Sequence, residues 1–250
     1  MHTGKVTLIG AGPGDPELLT LKAARTLAEA DVVLVDDLVN REILHHAPRA
    51  RIIEVGKRGG CQSTPQHFIN RLMTALASQG QRVVRLKGGD PFLFGRGGEE
   101  MLALRAAGIT VDVIPGITSG IAVPASIGIP VTHREYTHGV TFVTGHTRDG
   151  DAPDWRALVA GGTTLVIYMG LKHLPEIVSN LLEAGLSSST PAALIQQGTL
   201  PQQKQVITDV ANLPYAARQH DFQSPSLIVV GEVASLAQVA SSSHAQQIAA

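Results

Sequence analysis

Arg85-Leu-Lys-Gly-Gly-Asp-Pro-Phe-Leu-Phe-Gly-Arg-Gly-Gly-Glu-Glu100 is the stretch whose reading decides the fold. It starts where the apolar pair Val83-Val84 stops, and a helical pattern from Glu99 to Ala107 begins at its far end. Gly88, Gly89, Gly95, Gly97 and Gly98 lie within it, interleaved with Asp90, Arg96 and Glu99. Glycine lets backbone approach a ligand closely and accepts positive φ. Open α/β sheets bind ligands in loops at the carboxyl ends of their strands. A plain strand-to-helix turn needs about one glycine. Five of them, with a carboxylate and a guanidinium, point instead to a binding loop.

Working outward, the spacing predicts a strand over Lys5 to Ile9, closed by Gly10-Ala-Gly-Pro-Gly-Asp15. Residues 16–30 have helical spacing, with Leu18, Leu21, Ala24, Leu27 and Ala28 on one face. A second strand, Val32 to Val35, runs into Asp36 and Asp37, and a short helix is expected over Arg41 to Ala47. Arg51 to Val55 reads as a strand followed by Gly56-Lys57-Arg58-Gly59-Gly60. Pro65 to Gln79 reads as a helix with Phe68, Ile69, Leu72 and Leu76 inward. Arg82 to Leu86 is the strand that feeds the quoted loop, and Gly97 to Ala107 and Thr110 to Ile114 supply the next helix and strand. Strands alternating with helices imply parallel βαβ units.

The segment from Pro115 to Pro130 is rich in Gly, Pro, Ala and Ser and is read as the domain junction. The second half offers strands at Val140 to Thr144, Thr164 to Met169, Ala192 to Gln196, Lys204 to Thr208 and Leu227 to Val230. Helices are expected at Trp155 to Val159 and His173 to Ala184. No crossover helix separates Ala192–Gln196 from Lys204–Thr208, so antiparallel pairing is expected there. The resulting division is 1–116, 117–240 and a tail, 241–250, expected to be disordered.

Composition narrows the function. The 250 residues are 44% hydrophobic and 16% charged, enough apolar content for a packed core. A net charge of −1 argues against a general nucleic-acid binder. Residues 1–134 carry 15 Lys and Arg, eleven of them Arg, against 12 Asp and Glu. Residues 135–250 carry 5 against 9. Arginine forks suit carboxylates and phosphates. Cys61 is alone, so no intrachain disulfide forms, and a reducing compartment fits. Neither a signal peptide nor a membrane span is read in the sequence, and a cytoplasmic, soluble protein is expected. The histidines, His45, His46, His133, His138 and His146 among them, lack metal-ligand spacing, so no metal is expected.

The loop Gly10 to Asp15 tempts a dinucleotide-binding reading, because Asp36 and Asp37 end the next strand. The match fails in detail. Asp15 stands where the fingerprint needs Gly or Ala, and Pro13 withdraws an amide from any anion cradle. A ligand without phosphate, carrying a positive centre or ribose hydroxyls, suits this loop better.

The chain resembles the tetrapyrrole methylase superfamily and, within it, the uroporphyrinogen-III C-methyltransferases. The likeness runs from residue 4 to about 235. It is carried by Val6-Thr-Leu-Ile-Gly-Ala-Gly-Pro-Gly-Asp15, Val55-Gly-Lys-Arg-Gly59, Val84 to Glu99, Ile114-Pro-Gly-Ile-Thr118, Gly128-Ile-Pro-Val-Thr-His-Arg134, Val143-Thr-Gly-His146 and Val166-Ile-Tyr-Met-Gly170. The run through Arg96 and Glu99, with Thr132-His133-Arg134, is the more specific part. Ser119 departs slightly, standing where the family often has Ala. No fused oxidase or chelatase half is expected.

The resemblance implies an α/β, two-domain tetrapyrrole methylase fold. A parallel-sheet N-terminal domain and a mixed-sheet C-terminal domain would have a cleft between them. It also implies a homodimer. The implied reaction is transfer of two methyl groups from S-adenosylmethionine to uroporphyrinogen III, giving precorrin-2 for siroheme or cobalamin synthesis. The family's cofactor contacts fall on Pro13, Gly88, Gly89, Asp90, Leu93, Thr118, Ser119, Met169 and Gly198. Arg96, Glu99, Arg134, Asp36 and Lys57 are the expected catalytic and substrate-binding residues. Rival readings are another methyl acceptor (a different precorrin, a protein side chain or ribosomal RNA), a nicotinamide-dependent reductase, or a non-catalytic tetrapyrrole carrier.

Overall fold

The structure is a computed structural model, which describes residues 4–56, 64–145, 153–237 and 246–247. It divides into two compact units, Met1–Thr118 and Ser119–Ala250.

The first unit holds strands β1 (Lys5–Gly10), β2 (Val32–Val35), β3 (Arg51–Glu54), β4 (Arg82–Lys87) and β5 (Thr110–Ile114). They form an all-parallel sheet in the order β3-β2-β4-β1-β5. Alternate residues face opposite ways, as the strand period requires. Val6, Leu8, Val32, Leu34 and Val83 pack against helices α2 (Gln66–Ser78) and α3 (Gly97–Ala106). Ile9, Val33, Val35, Val84 and Leu86 pack on the other face with Ala23 and Leu27 of helix α1 (Leu21–Ala28). Both faces are covered, as parallel sheets need.

Three helical expectations change in detail. The stretch 16–30 is a 3-10 turn, Pro16–Leu18, followed by α1, whose N-cap Thr20 accepts from the Ala23 amide at 3.2 Å. Breaking the helix rotates its face, so Ala23 and Leu27 are buried and Leu21 is 75% exposed. The Arg41–Ala47 segment is likewise a 3-10 helix, Arg41–His46. On α2 the inward residues are Ile69, Met73, Leu76 and Ala77, while Phe68 is exposed.

The second unit's sheet contains β6 (Val140–Thr144), β7 (Thr164–Tyr168), β8 (Pro191–Gln196), β9 (Lys204–Asp209), β10 (Ser226–Val230) and the two-residue β11 (Gln246–Gln247). Their order is β11-β9-β8-β10-β7-β6. β6 and β7 pair in parallel, whereas β10 is antiparallel to both β7 and β8, and β8 to β9. The expected antiparallel β8–β9 pairing is therefore present. Helices α5 (Trp155–Ala160), α6 (Leu174–Glu183) and α7 (Leu213–Gln219) cover one face. Helix α4 (Ser119–Ser126) contributes Val123 to the other.

Helix α4 occupies sequence read as junction, and α7 was not expected. α4 has Gly120 and Pro124 inside it, two residues of poor helix propensity. Tertiary contacts override that propensity. The Gly120 amide donates to Tyr168 Oη at 2.6 Å, which satisfies one orphan N–H of the first turn. Most of the expected tail, 241–250, lies outside the described residues.

Candidate active site

At the carboxyl edge of the parallel sheet, three loops meet backbone to backbone. Gly89 N donates to Gly12 O at 2.7 Å, and Gly12 N returns a bond to Gly89 O at 3.2 Å. A β-carbon on Gly116 would fall 2.2 Å from Gly89 O, and one on Gly10 would lie 2.5 Å from the same oxygen. The loops after β1, β4 and β5 thus touch where side chains cannot fit. Asp90 stitches them further, its Oδ1 accepting from Phe92 N at 2.8 Å and its Oδ2 from Gly116 N at 3.1 Å. Pro13, Gly88, Gly89, Asp90 and Leu93 therefore share one sheet edge, and Thr118 follows β5 closely. Lys57 lies outside the described residues, as do Arg58, Cys61 and His146.

The same edge lacks the geometry of a dinucleotide site. Asp15 turns inward on its own chain, accepting from Glu17 N at 2.9 Å to cap the 3-10 turn. The first α-helix begins only at Leu21, so no α-helix starts at the glycine loop to offer its amides to a pyrophosphate.

Arg96 caps α3 at φ 60° and ψ 12°, in the left-handed region. It grips Glu99 through Nε at 3.1 Å and Nη2 at 2.5 Å. Both side chains are about half exposed. The Glu99 hydrogen bond raises the Arg96 pKa above its usual value, with burial opposing. Arg96 is thus a fixed cation suited to a carboxylate and a poor base. Backbone strain marks the loop after β4 and two loops of the second unit. Phe94, Arg96, Met169, Gln197 and Thr199 all have positive φ, at a cost of about 1 kcal/mol or more each. They lie in the loops after β4, β7 and β8, and strain of this kind clusters at functional sites.

In the second unit, Ser119, Met169 and Gly198 gather around α4. Ser119 is its first residue, and Tyr168, which precedes Met169, holds the Gly120 amide. A β-carbon on Gly198 would sit 2.4 Å from the Val123 side chain of α4. Packing alone therefore demands glycine at 198. Gly198→Ala is expected to destabilise the chain by about 2 kcal/mol. Adding Val123→Ala should return part of that loss in urea unfolding. If the second change worsens the first, the steric reading fails.

Arg134 is placed elsewhere. It is exposed in the turn bridged by His133 and Thr137, just before β6. Thr137 Oγ1 donates to Gly139 O at 3.0 Å and lies 3.4 Å from Gly162 O, beside the starts of β6 and β7. Met169 and Gly198 lie at the opposite ends of the strands, a strand length or about 16 Å away. The structure does not bring Arg134 to those residues.

Asp36 sits at the end of β2 in a charged cluster that sequence reasoning missed. Its Oδ2 lies 3.1 Å from Arg85 Nη2 and 3.6 Å from Lys87 Nζ. Arg85 Nε donates to Glu100 Oε1 at 3.1 Å, and Lys87 Nζ is 3.5 Å from that oxygen. Gln66 Nε2 donates to it as well, at 2.9 Å. Arg85, Lys87 and Glu100 are buried, whereas the Asp36 side chain is 35% exposed. Burial alone would raise the Asp36 pKa, but Arg85 and Lys87 together hold it below the usual 3.8. Burial, then Arg85, lowers Lys87 against the opposing pull of Glu100 and Asp36. Charged residues inside strands and helices read as surface in a sequence. The available signal was Arg85 and Lys87 alternating on a strand otherwise apolar from Val83 to Leu86.

A carboxylate with a lowered folded pKa binds fewer protons folded than unfolded across the interval between the two values. Stability from Asp36 is therefore complete above about pH 4 and declines as pH falls through the folded pKa. Urea unfolding between pH 3 and 5 should show a shallower acid loss in Asp36→Asn than in wild type. Equal slopes would contradict the pairing.

Comparison with known proteins bears on this arrangement. Residues 5–214 match the family described as Tetrapyrrole (Corrin/Porphyrin) Methylases. The chain belongs to the tetrapyrrole methylase family. A Pseudomonas aeruginosa uroporphyrinogen-III C-methyltransferase is 53% identical over 231 residues, covering 92% of this chain and 94% of that protein. A siroheme synthase from Pseudomonas paraeruginosa is 54% identical, and this tetrapyrrole methylase spans 51% of its length. Among solved structures, Thermus thermophilus uroporphyrin-III C-methyl transferase complexed with S-adenyl homocysteine is 40% identical at a TM-score of 0.80. The match covers 92% of this chain and 93% of that one. The two-sheet α/β architecture is thus the tetrapyrrole methylase architecture.

Proposed function

We propose that the protein is an S-adenosylmethionine-dependent uroporphyrinogen-III C-methyltransferase, adding two methyl groups to give precorrin-2 for siroheme or cobalamin synthesis. The observation that carries this reading is the 53% identity to a protein of that name over nearly the full length of both chains. The donor chemistry suits the edge described above. Close-packed glycine backbone and a capped acidic Asp15 favour an uncharged adenosine moiety and a cation over a diphosphate. Among the described residues, no group of three or more His, Cys, Asp or Glu is placed to hold a metal.

S-adenosylmethionine supplies an activated methyl group on a sulfonium sulfur. The protein's task is then to hold donor and acceptor in line and keep water out, which shortens the entropic part of the barrier. Pro13, Gly88, Gly89, Asp90, Leu93 and Thr118 in the first unit bind the cofactor. Arg96, oriented by Glu99, holds a substrate carboxylate. Asp36, outward-facing and ionised, stabilises the cationic ring and takes the proton that leaves after methylation. Lys57 binds a carboxylate at the substrate's periphery. The protein works as a cytoplasmic homodimer, and no described helix is long and apolar enough to cross a membrane.

The test is anaerobic incubation with uroporphyrinogen III and S-adenosylmethionine, followed by mass measurement. Two added methyl groups are expected. Unmodified substrate alongside methylation of another tetrapyrrole would replace the assigned acceptor. Binding of nicotinamide nucleotides, with none of S-adenosylhomocysteine, would overturn the reading altogether.

A further inference from the structure

The cluster beneath the Gly88-Gly89 loop has an order that the reaction makes useful. Arg85 is buried on β4 and uses the separate arms of one fork on two carboxylates from two elements, Glu100 of α3 and Asp36 at the end of β2. Lys87, on the same face of β4, repeats the bridge to the same two oxygens at 3.5 and 3.6 Å. Glu100 is itself held by Gln66 of α2, which also donates to Asn70. Among the described residues its contacts all fall on Oε1, and Oε2 is buried without a hydrogen-bond partner. Asp36 is the member that reaches the surface, at the sheet edge where the glycine loops meet. Its other oxygen, Oδ1, accepts from Asp37 N at 3.2 Å.

Burying three charges is a poor way to gain stability, because desolvation costs several kcal/mol per ion and apolar residues of similar volume do as well or better. Such a cluster does fix geometry. A planar guanidinium anchored at one end by Glu100 presents its other end to Asp36 in a set direction. We propose that Arg85 and Glu100 are positioning residues for Asp36, setting the direction of the carboxylate that faces the reacting ring, with Lys87 as the second strut. This rests on the methyltransferase reading and on Asp36 as its outward carboxylate.

The consequence is specific. Glu100→Gln keeps shape and an acceptor oxygen but loses the charge that anchors Arg85. Arg85→Lys keeps the charge but loses the fork. Each should lower kcat by about 10- to 100-fold, the scale of a misplaced catalytic group. KM for uroporphyrinogen III and affinity for S-adenosylhomocysteine should change less than about 3-fold, as both ligands still dock. Asp36→Asn should lower kcat at least as much. The double variant Asp36→Asn/Arg85→Lys should then be no slower than Asp36→Asn alone, since the group being positioned is already gone.

A merely structural role predicts otherwise: the two losses multiply, and KM and cofactor affinity move with kcat. That result overturns the proposal, as does wild-type kcat in Glu100→Gln. Full activity in Asp36→Asn removes Asp36, and positioning with it, while leaving the methyltransferase intact. A wild-type chain that methylates no tetrapyrrole overturns the functional reading and this proposal together.

Discussion

Arg96→Ala is expected to lose about 100-fold or more in kcat/KM for uroporphyrinogen III while binding S-adenosylhomocysteine within about 3-fold of wild type. A fork paired with a ligand carboxylate makes charge-assisted bonds worth roughly 1.5–3 kcal/mol each, and losing two accounts for the factor. The cofactor contacts assigned above come mostly from backbone and apolar groups, so calorimetry with S-adenosylhomocysteine should barely change. Backbone and side chain can be separated at this position. Arg96 has φ 60°, which alanine tolerates no better than arginine. Arg96→Gly should be as inactive as Arg96→Ala yet more stable by about 1 kcal/mol in urea unfolding. An active Arg96→Ala enzyme would remove the guanidinium from the site. Glycine that failed to gain stability would mean the loop is not strained.

Glu100→Ala should be the most destabilising single change, at about 3–5 kcal/mol. It strips a fully buried carboxylate from Arg85 and Lys87 and leaves two buried cations facing Asp36 alone. Against a typical stability of about 5–15 kcal/mol, much of the chain would unfold at modest urea. Replacing the buried members together, as Arg85→Met/Lys87→Met/Glu100→Leu, should recover most of the loss, because no unpaired charge remains inside. That triple variant should fold and turn over poorly. Recovered stability with recovered turnover would show the cluster to be dispensable to catalysis.

These outcomes also bear on what could be read without coordinates. The alternation of short apolar strands with helical spacing carries the parallel first unit, and strand identities from Lys5 to Ile114 follow from period and β-branched content. The glycine-rich loop after β4 was legible in the sequence, because five glycines exceed the needs of a turn. Helix α4 was not, since Gly120 and Pro124 speak against a helix locally and tertiary contacts, among them Tyr168 and the packing of Val123, favour it. The facing of α1 was misread because the 3-10 turn before it shifts the phase, exposing Leu21. Gly198 looked like ligand space and is also a packing contact with Val123.

By itself, the sequence determined the mismatch of the first loop to a dinucleotide fingerprint and the strands on which the glycine loops hang. Those properties live in residue type and short-range spacing, where a proline, an acid or a glycine acts on its own neighbours. Only the tertiary structure decided that Arg85, Lys87 and Glu100 meet Asp36, and that Arg134 lies at the far end of its sheet from Met169. Such meetings join residues up to 51 positions apart. They arise from strand order and helix packing, which no local pattern encodes.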